Sequence, residues 1–259
     1  MDCDAGIVVQ GDAARELENE FARLWRDMQQ PGGEPHAPIT TTGPPPCDDD
    51  AAQRAAPLDP PPAGFDFAPW TSDTALTAVV ASSVGSSGVD PILAQALRLI
   101  GGATKTVRIA MGFAAPTAPV IDAVAAALAR GVAVTFTGNS YTSMDLKGPQ
   151  LDQARALRAL LKRCPRCAVY LTHGAQFLHG KVVLVDAQVA LFGSWNMWPR
   201  SHFYESELDL CVWDGALAAR MERNYDDVRE EFCERMATWR DVEVGPGCAI
   251  SCTWGVPLW

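Results

Sequence analysis

Hydrophobic residues between positions 90 and 240 follow two alternating patterns. Short apolar runs, several of them rich in β-branched residues, predict strands at residues 106–111, 132–137, 168–172, 181–185, 189–192 and 208–213. Apolar residues at helical spacing predict helices at residues 90–100, 119–130, 151–163 and 216–239. Because strands and helices alternate, we expect an α/β fold with a mixed β-sheet flanked by helices on both faces.

The pattern changes before residue 70. Residues 4–11 alternate loosely as a strand, and Asp12 can cap a helix that has Leu17 and Trp25 on one face. Residues 31–69 hold 11 of the 19 prolines and almost no apolar periodicity, which is typical of a disordered linker. We therefore predict a strand–helix unit at 1–30, a Pro-rich linker at 31–69, a main domain at 70–240 and a C-terminal tail at 241–259.

Charge is unevenly distributed along the chain, whose formal net charge is −10. Residues 1–70 carry 13 acidic and 4 basic side chains, whereas residues 71–259 carry 18 and 17. The main domain is nearly neutral, which argues mildly against a basic groove for nucleic acid. No apolar run is long enough to span a bilayer and no signal-peptide pattern begins the chain, so we expect a cytoplasmic protein.

Two pairs of cysteines raise the question of a metal site. Cys164 and Cys167, together with Cys248 and Cys252, offer four thiolates to zinc. The pairs are not matched C-x2-C knuckles, and the Pro-Arg between the first two is also typical of a turn that joins a helix to a strand. We favour the turn and expect no metal.

The segment from His179 to Asn196 holds the residues suited to chemistry. His179 and Lys181 flank a glycine at the start of a predicted strand, and Gly193-Ser194 and Asn196 follow the next one. Alternate residues of a strand project from the same face about 6.5–7 Å apart, so one phosphate can contact both the imidazole and the ammonium group. A His-x-Lys pair alone is typical of a solvated strand surface, and Gly-Ser-x-Asn alone is typical of a turn. Their joint spacing favours a functional site over these structural roles.

This spacing, H-x-K-x4-D-x6-G-S-x-N, resembles the HKD motif of the phospholipase D superfamily. The continuation through Arg200-Ser201 to Glu207 is similar to bacterial members of the cardiolipin synthase type, and Asn139-Ser140 resembles the stretch before their second motif. The resemblance implies a phospholipase D-like sandwich fold. It also implies a phosphodiesterase or phosphatidyltransferase that acts on phospholipids, or on another phosphodiester, through a phosphohistidine and without a cofactor or metal.

The resemblance also implies a role for each motif residue. His179 is the nucleophile or the acid/base, while Lys181 and Asn196 bind the nonbridging oxygens of the phosphate. Ser194 donates a further hydrogen bond to the phosphate, and Glu207 accepts one from the His179 ring and holds its tautomer.

Two further motif residues have alternative interpretations. Asp186 belongs to the catalytic set by its place in the motif, although its position between two predicted strands favours a structural role in a turn. Trp195 and Trp198 either line an entrance for acyl chains or pack on the core, and the second is the commoner role of aromatic residues beside a turn.

The chain departs from the family pattern in two ways. Glu205 stands where the pattern has asparagine, which adds a negative charge near the phosphate site. Only one HKD motif is present, and residues 4–25 resemble the piece that follows the first motif, so the chain resembles the C-terminal half of a two-motif member with a remnant of the other half.

Three functional hypotheses follow from the single motif. In the first, the chain is a lipid phosphodiesterase whose site is completed by a homodimer or by a missing first half, with contact to a membrane surface. In the second, it is a dimeric nuclease of the same superfamily, which the near-neutral main domain makes the less favoured. In the third, it is a non-catalytic fragment that keeps a phosphate pocket.

Overall fold

The structure, a computed structural model, describes residues 2–3, 14–19, 22, 76–82, 90–144, 147–174, 176–203 and 205–243. The chain divides into two compact units, one formed by Met1–Val8 and Thr74–Trp259 and the other by Val9–Asp73. Residues 14–19 of the second unit are helical, within the helix expected after Asp12. The strand expected at 4–11 and the linker expected at 31–69 lie outside the described residues.

The first unit is built on a mixed sheet of eight strands. In chain order these are β2 (Leu76–Ser82), β3 (Thr106–Met111), β4 (Ala133–Gly138), β5 (Ala168–Thr172), β7 (Lys181–Val185), β8 (Val189–Gly193), β9 (Glu207–Trp213) and β10 (Cys233–Met236). Their order across the sheet is β10-β5-β4-β3-β7-β8-β9-β2. Strands β3, β4 and β5 are mutually parallel, and every other pairing is antiparallel. Two short strands, β1 (Asp2–Cys3) and β6 (Phe177–Leu178), form a separate parallel pair.

Helices cover both faces of this sheet, as the sequence predicts. The helices of the unit are α1 (Pro91–Gly102), α2 (Ala118–Ala129), α3 (Lys147–Arg163), α4 (Pro199–Phe203) and α5 (Gly215–Phe232). The first three bury their apolar faces in the main core against one side of the sheet. Helix α5 packs Met221 and Tyr225 on a smaller cluster of Val182, Leu184 and Ala190 on the other side. The mixed sheet between two helical layers confirms the expected fold class.

The prediction of one helix over residues 216–239 is wrong beyond Phe232. Helix α5 ends there, and Cys233–Met236 form the edge strand β10, which pairs with β5 from Cys233 opposite Thr172 to Met236 opposite Val169. Backbone groups on that edge of β5 would otherwise lack strand partners, and this pairing overrides the helical spacing of the apolar residues. Strand β2, which the apolar pattern did not predict, pairs along its whole length with β9.

Neither a membrane-spanning helix nor a metal cluster is found in the part of the chain that the structure describes. Within it, no helix combines the length and apolar character needed to cross a bilayer. The same residues contain no group of three or more His, Cys, Asp or Glu side chains placed to hold a metal ion.

Candidate phosphate-binding site

One edge of the sheet gathers the ends of several strands that carry polar side chains. Lys181 begins β7 opposite Met111, the last residue of β3, and Gly193 ends β8 opposite Asp209 of β9. Glu207 begins β9 at the same edge. Because neighbouring antiparallel strands end and begin together, this register brings the two halves of the motif side by side.

The glycine between His179 and Lys181 is required by the helix on the opposite face. A Cβ atom on Gly180 would lie 2.4 Å from the Tyr225 hydroxyl oxygen of α5. Lys181 faces the other way, since it pairs with Met111 of the main core. Its ammonium group donates to the His179 carbonyl oxygen at 2.6 Å, so the lysine also fixes the backbone of the histidine.

The turn after β8 presents Asn196 with a defined orientation. The Asn196 side-chain oxygen accepts a hydrogen bond from the Phe113 N–H at 3.1 Å. A backbone N–H can only donate, so the facing atom is the amide oxygen, and the amide nitrogen is the group left to donate to a ligand. Gly193 opens the turn because a Cβ there would lie 2.3 Å from the Asp209 carboxylate and from the Leu208 carbonyl oxygen.

Glu207 holds this turn through two serines. The hydroxyl of Ser194 donates to one carboxylate oxygen at 2.5 Å, and the hydroxyl of Ser201 donates to the other at 2.6 Å. Burial raises the pKa of Glu207, although both serine hydrogen bonds act in the opposite direction. Ser194 in turn accepts from the Leu208 N–H at 3.0 Å. The predicted hydrogen bond between Glu207 and the His179 ring remains a prediction.

The unexpected Glu205 is neutralised locally. Its carboxylate pairs with the Arg200 guanidinium at 2.7 Å and lies 3.1 Å from the Ser201 hydroxyl oxygen. The negative charge that departs from the family pattern therefore has a positive partner at 2.7 Å.

Sequence reasoning missed two buried carboxylates behind the turn. Asp209, 2% exposed, accepts from the Trp195 N–H at 3.0 Å. Burial, and then the charges of Glu207 and Asp90, raise the pKa of Asp209 to about 7. Asp90 accepts from the Trp195 indole N–H at 3.0 Å and lies 2.9 Å from Nδ1 of His202. The sequence does offer a signal for Asp209, because it is an acidic residue at an inward position of the otherwise apolar strand β9.

Aromatic rings lie beside the histidine. The Phe177 ring stacks on the His179 ring with centroids 5.6 Å apart, and Phe113 stacks on Trp198 at 4.9 Å. Trp195 is fully buried in the core, so it does not line an entrance, whereas Trp198 is half-buried beside this edge.

The structure does not bring Asp186 to this edge. Asp186 follows the other end of β7, where its carboxylate accepts hydrogen bonds of 2.7–2.8 Å from the N–H groups of residues 104–106 and from the Thr104 hydroxyl. Partial burial alone would raise its pKa, but these donors lower it to about 2. Asp186 therefore connects the start of β3 to the β7–β8 turn through hydrogen bonds.

The cysteine pair that raised the question of zinc is described only in part. Cys164 and Cys167 are buried, and burial raises the pKa of Cys167 to about 12. Cys248 and Cys252 lie outside the described residues.

Comparison with solved structures places the fold among phospholipase D proteins. Nuc from Salmonella typhimurium, a phospholipase D family member, matches with a TM-score of 0.52 and 18% identity over 63% of this chain and 99% of its own. Phosphatidylserine synthase from Haemophilus influenzae matches with a TM-score of 0.56 and 16% identity over 66% of this chain; the chain spans 42% of that protein. At these identities the similarity concerns the fold.

Sequence comparison identifies the family. No curated protein sequence matches the chain. The family model described as cardiolipin synthase, PLD-like domain, matches residues 96–229, just over half of the chain. The match begins within α1, ends within α5 and includes the motif. With this match and the fold together, the chain belongs to the cardiolipin synthase PLD-like domain family, within the phospholipase D superfamily.

Proposed function

We propose that the protein is a phosphodiesterase or phosphatidyltransferase that acts on phospholipids through a phosphohistidine at His179. The observation that carries the proposal is the placement of His179, Lys181 and Asn196 at one sheet edge, each fixed through the backbone. An imidazole, an ammonium group and an amide donor together match what a phosphodiester requires for nucleophilic attack.

The proposed chemistry proceeds in two steps. A nitrogen of His179 attacks phosphorus, a P–N bond forms, and the P–O bond to the leaving alcohol breaks. Lys181 and Asn196 stabilise the negative charge that develops on the nonbridging oxygens, and Ser194 fixes the turn. A second histidine donates a proton to the leaving oxygen, then removes one from the water or acceptor alcohol that attacks the phosphohistidine. In this second step a new P–O bond forms, and the P–N bond breaks to free His179.

The second histidine comes from a second copy of the chain or from a separate first half. The described residues contain one His-x-Lys pair, at 179 and 181. The chain spans nearly all of Nuc and 42% of phosphatidylserine synthase, which supports the interpretation that it supplies one of two equivalent units. In a symmetric pair, His179 of each copy faces the other across the two-fold axis.

Phospholipid is the substrate that we favour over nucleic acid. The family model is that of cardiolipin synthase, and one fold relative is a phosphatidylserine synthase. Residues 71–259 have 18 acidic and 17 basic side chains, which gives little attraction for a long polyanion.

The test compares three substrates with the purified chain: bis(p-nitrophenyl) phosphate, phosphatidylglycerol vesicles and DNA. We expect turnover of the first two, and we expect activity per chain to fall on dilution as sedimentation reports dissociation of the dimer. His179→Ala should abolish turnover, and Lys181→Ala should weaken transition-state stabilisation by about 3–4 kcal/mol, the effect of one oxyanion donor.

His173→Ala is the matched control, because His173 is exposed and lacks the following lysine. Equal turnover by His179→Ala and the wild type would end the proposal. Preferential cleavage of DNA would support the nuclease hypothesis, and phosphate binding without turnover would support the non-catalytic one.

A further inference from the structure

Asn139, directly after β4, is a fully buried residue whose side chain has all of its hydrogen bonds made. Its amide nitrogen donates to the Gly112 carbonyl at 2.7 Å and to the Leu178 carbonyl at 2.8 Å. Its oxygen accepts from the Leu178 N–H at 2.8 Å and from the Thr172 hydroxyl at 3.1 Å. Two donors and two acceptor positions are the whole capacity of an asparagine side chain, so no part of it is left for a ligand.

Some of these hydrogen bonds hold the backbone on either side of the histidine. Leu178 immediately precedes His179, and Asn139 binds both its N–H and its carbonyl oxygen. Gly112, which Asn139 also binds, donates its own N–H to the Gly180 carbonyl at 2.9 Å. The backbone is therefore held on both sides of His179.

Through Gly112, the hydrogen bonds of Asn139 are also connected to Asn196, the asparagine of the motif. Phe113, the residue after Gly112, donates its N–H to the Asn196 side chain at 3.1 Å. Two residues further on, Ala115 donates to the Met197 carbonyl at 3.0 Å. The segment from Gly112 to Ala115 is thus hydrogen-bonded both to Asn139 and to the turn that carries Asn196.

A second buried amide supports Asn139 from helix α3. Gln153, 3% exposed, donates to the Asn139 backbone carbonyl and accepts from the Ala114 N–H at 2.8 Å. Thr172 is held in the same way, since its hydroxyl lies 2.6 Å from that of Ser143. These contacts come from β5 and α3, so the layers of the fold fix the asparagine from several directions.

We propose that Asn139 is a positioning residue that sets the separation of His179 and Asn196. No other buried side chain described at this edge is bonded to the segment before His179 and to the segment that orients Asn196 at once. The inference rests on the proposed function for its catalytic consequence, because a small misplacement of reacting groups costs about 100-fold in rate. Its structural consequence, the position of the His179 ring, is independent of turnover.

The test uses Asn139→Asp, which keeps the shape of the side chain but removes both donated hydrogen bonds. Gln150→Glu is the matched control: it changes another amide that is 2% exposed, on the same helix as Gln153, and among the described residues Gln150 donates to the Met144 carbonyl alone. Thr172→Val, which removes a single hydrogen bond to Asn139, is the milder variant if Asn139→Asp unfolds. Urea unfolding gives the folded fraction of each variant.

Three readouts are compared per folded molecule. We expect kcat on bis(p-nitrophenyl) phosphate to fall about 100-fold in Asn139→Asp with KM changed much less, and about 10-fold in Thr172→Val. The ring ¹³C–¹H resonance of His179 should shift in both variants, and the affinity for inorganic phosphate should fall. Gln150→Glu should leave all three unchanged.

Each result bears on one proposal or the other. An unshifted His179 resonance in folded Asn139→Asp, or an equal effect of Gln150→Glu, would overturn the positioning role. A wild-type protein without turnover would count against the proposed function alone, since the resonance and the phosphate affinity still decide the role of Asn139.

Discussion

Asp186→Asn separates a structural from a catalytic role for the acidic residue of the motif. Asp186 follows Val185, while Lys181 begins the same strand, so five residue steps of about 3.3 Å place the two about 17 Å apart. Asp186 has φ +56°, and asparagine tolerates this left-handed backbone as aspartate does. The substitution therefore removes the charge and one of the two accepting oxygens without straining the backbone of the turn.

The magnitude follows from the pKa of the carboxyl group. A pKa lowered from 3.8 to about 2 corresponds to about 2.4 kcal/mol of stability at pH 7. The carboxylate is partly open to solvent, and screening reduces this to about 1–2 kcal/mol. Because the pKa is depressed in the folded state, the contribution is complete above 3.8 and is lost as the pH falls through about 2.

Urea unfolding at pH 7 and at a series of values down to pH 2 measures this difference. We expect Asp186→Asn to lower the free energy of unfolding by about 1–2 kcal/mol at pH 7, and the gap to the wild type to close toward pH 2. Asp227→Asn, at an exposed position of α5, is the control and should change little. Turnover per folded molecule should be unchanged. A loss of about 100-fold in kcat with unaltered stability would refute the reasoning and make Asp186 catalytic.

Three further predictions concern the rest of the chain. Gly180→Ala should destabilise the fold by about 1–3 kcal/mol through its clash with the Tyr225 hydroxyl, and the second change Tyr225→Phe should recover part of that loss in thermal unfolding. The pKa of Asp209 is raised from 3.8 to about 7, so between these values the native state binds a proton that the unfolded state releases. The free energy of unfolding relative to Asp209→Asn should therefore fall as the pH rises from 4 through 7. A difference in urea unfolding that stays constant over this range would contradict this. Residues 31–69, with 11 prolines, should be cut first in limited proteolysis, and protection equal to that of the main domain would disprove the linker.

The sequence by itself determined the fold class and the motif, because both depend on contacts between near neighbours. The apolar runs of β7 and β8 are joined by a short turn, so the alternation of side chains along them already predicts that His179, Lys181 and the turn after β8 lie at one edge of the sheet. Helices α1 to α3 were predicted near their observed positions because their apolar faces repeat at helical spacing.

Tertiary structure decided what depends on residues distant in the sequence. Cys233–Met236 is a strand only because β5 offers it an open edge, although its spacing suits a helix. Asp186 binds residues 80 to 82 positions away, which no spacing along the chain indicates.

Asn139 is the clearest case of this dependence. Its hydrogen bonds reach four other segments of the chain, between 14 and 39 residues away from it, that meet only when the strands are in register. A buried polar side chain must find partners wherever the fold brings them, and spacing along the chain does not reveal which partners those are.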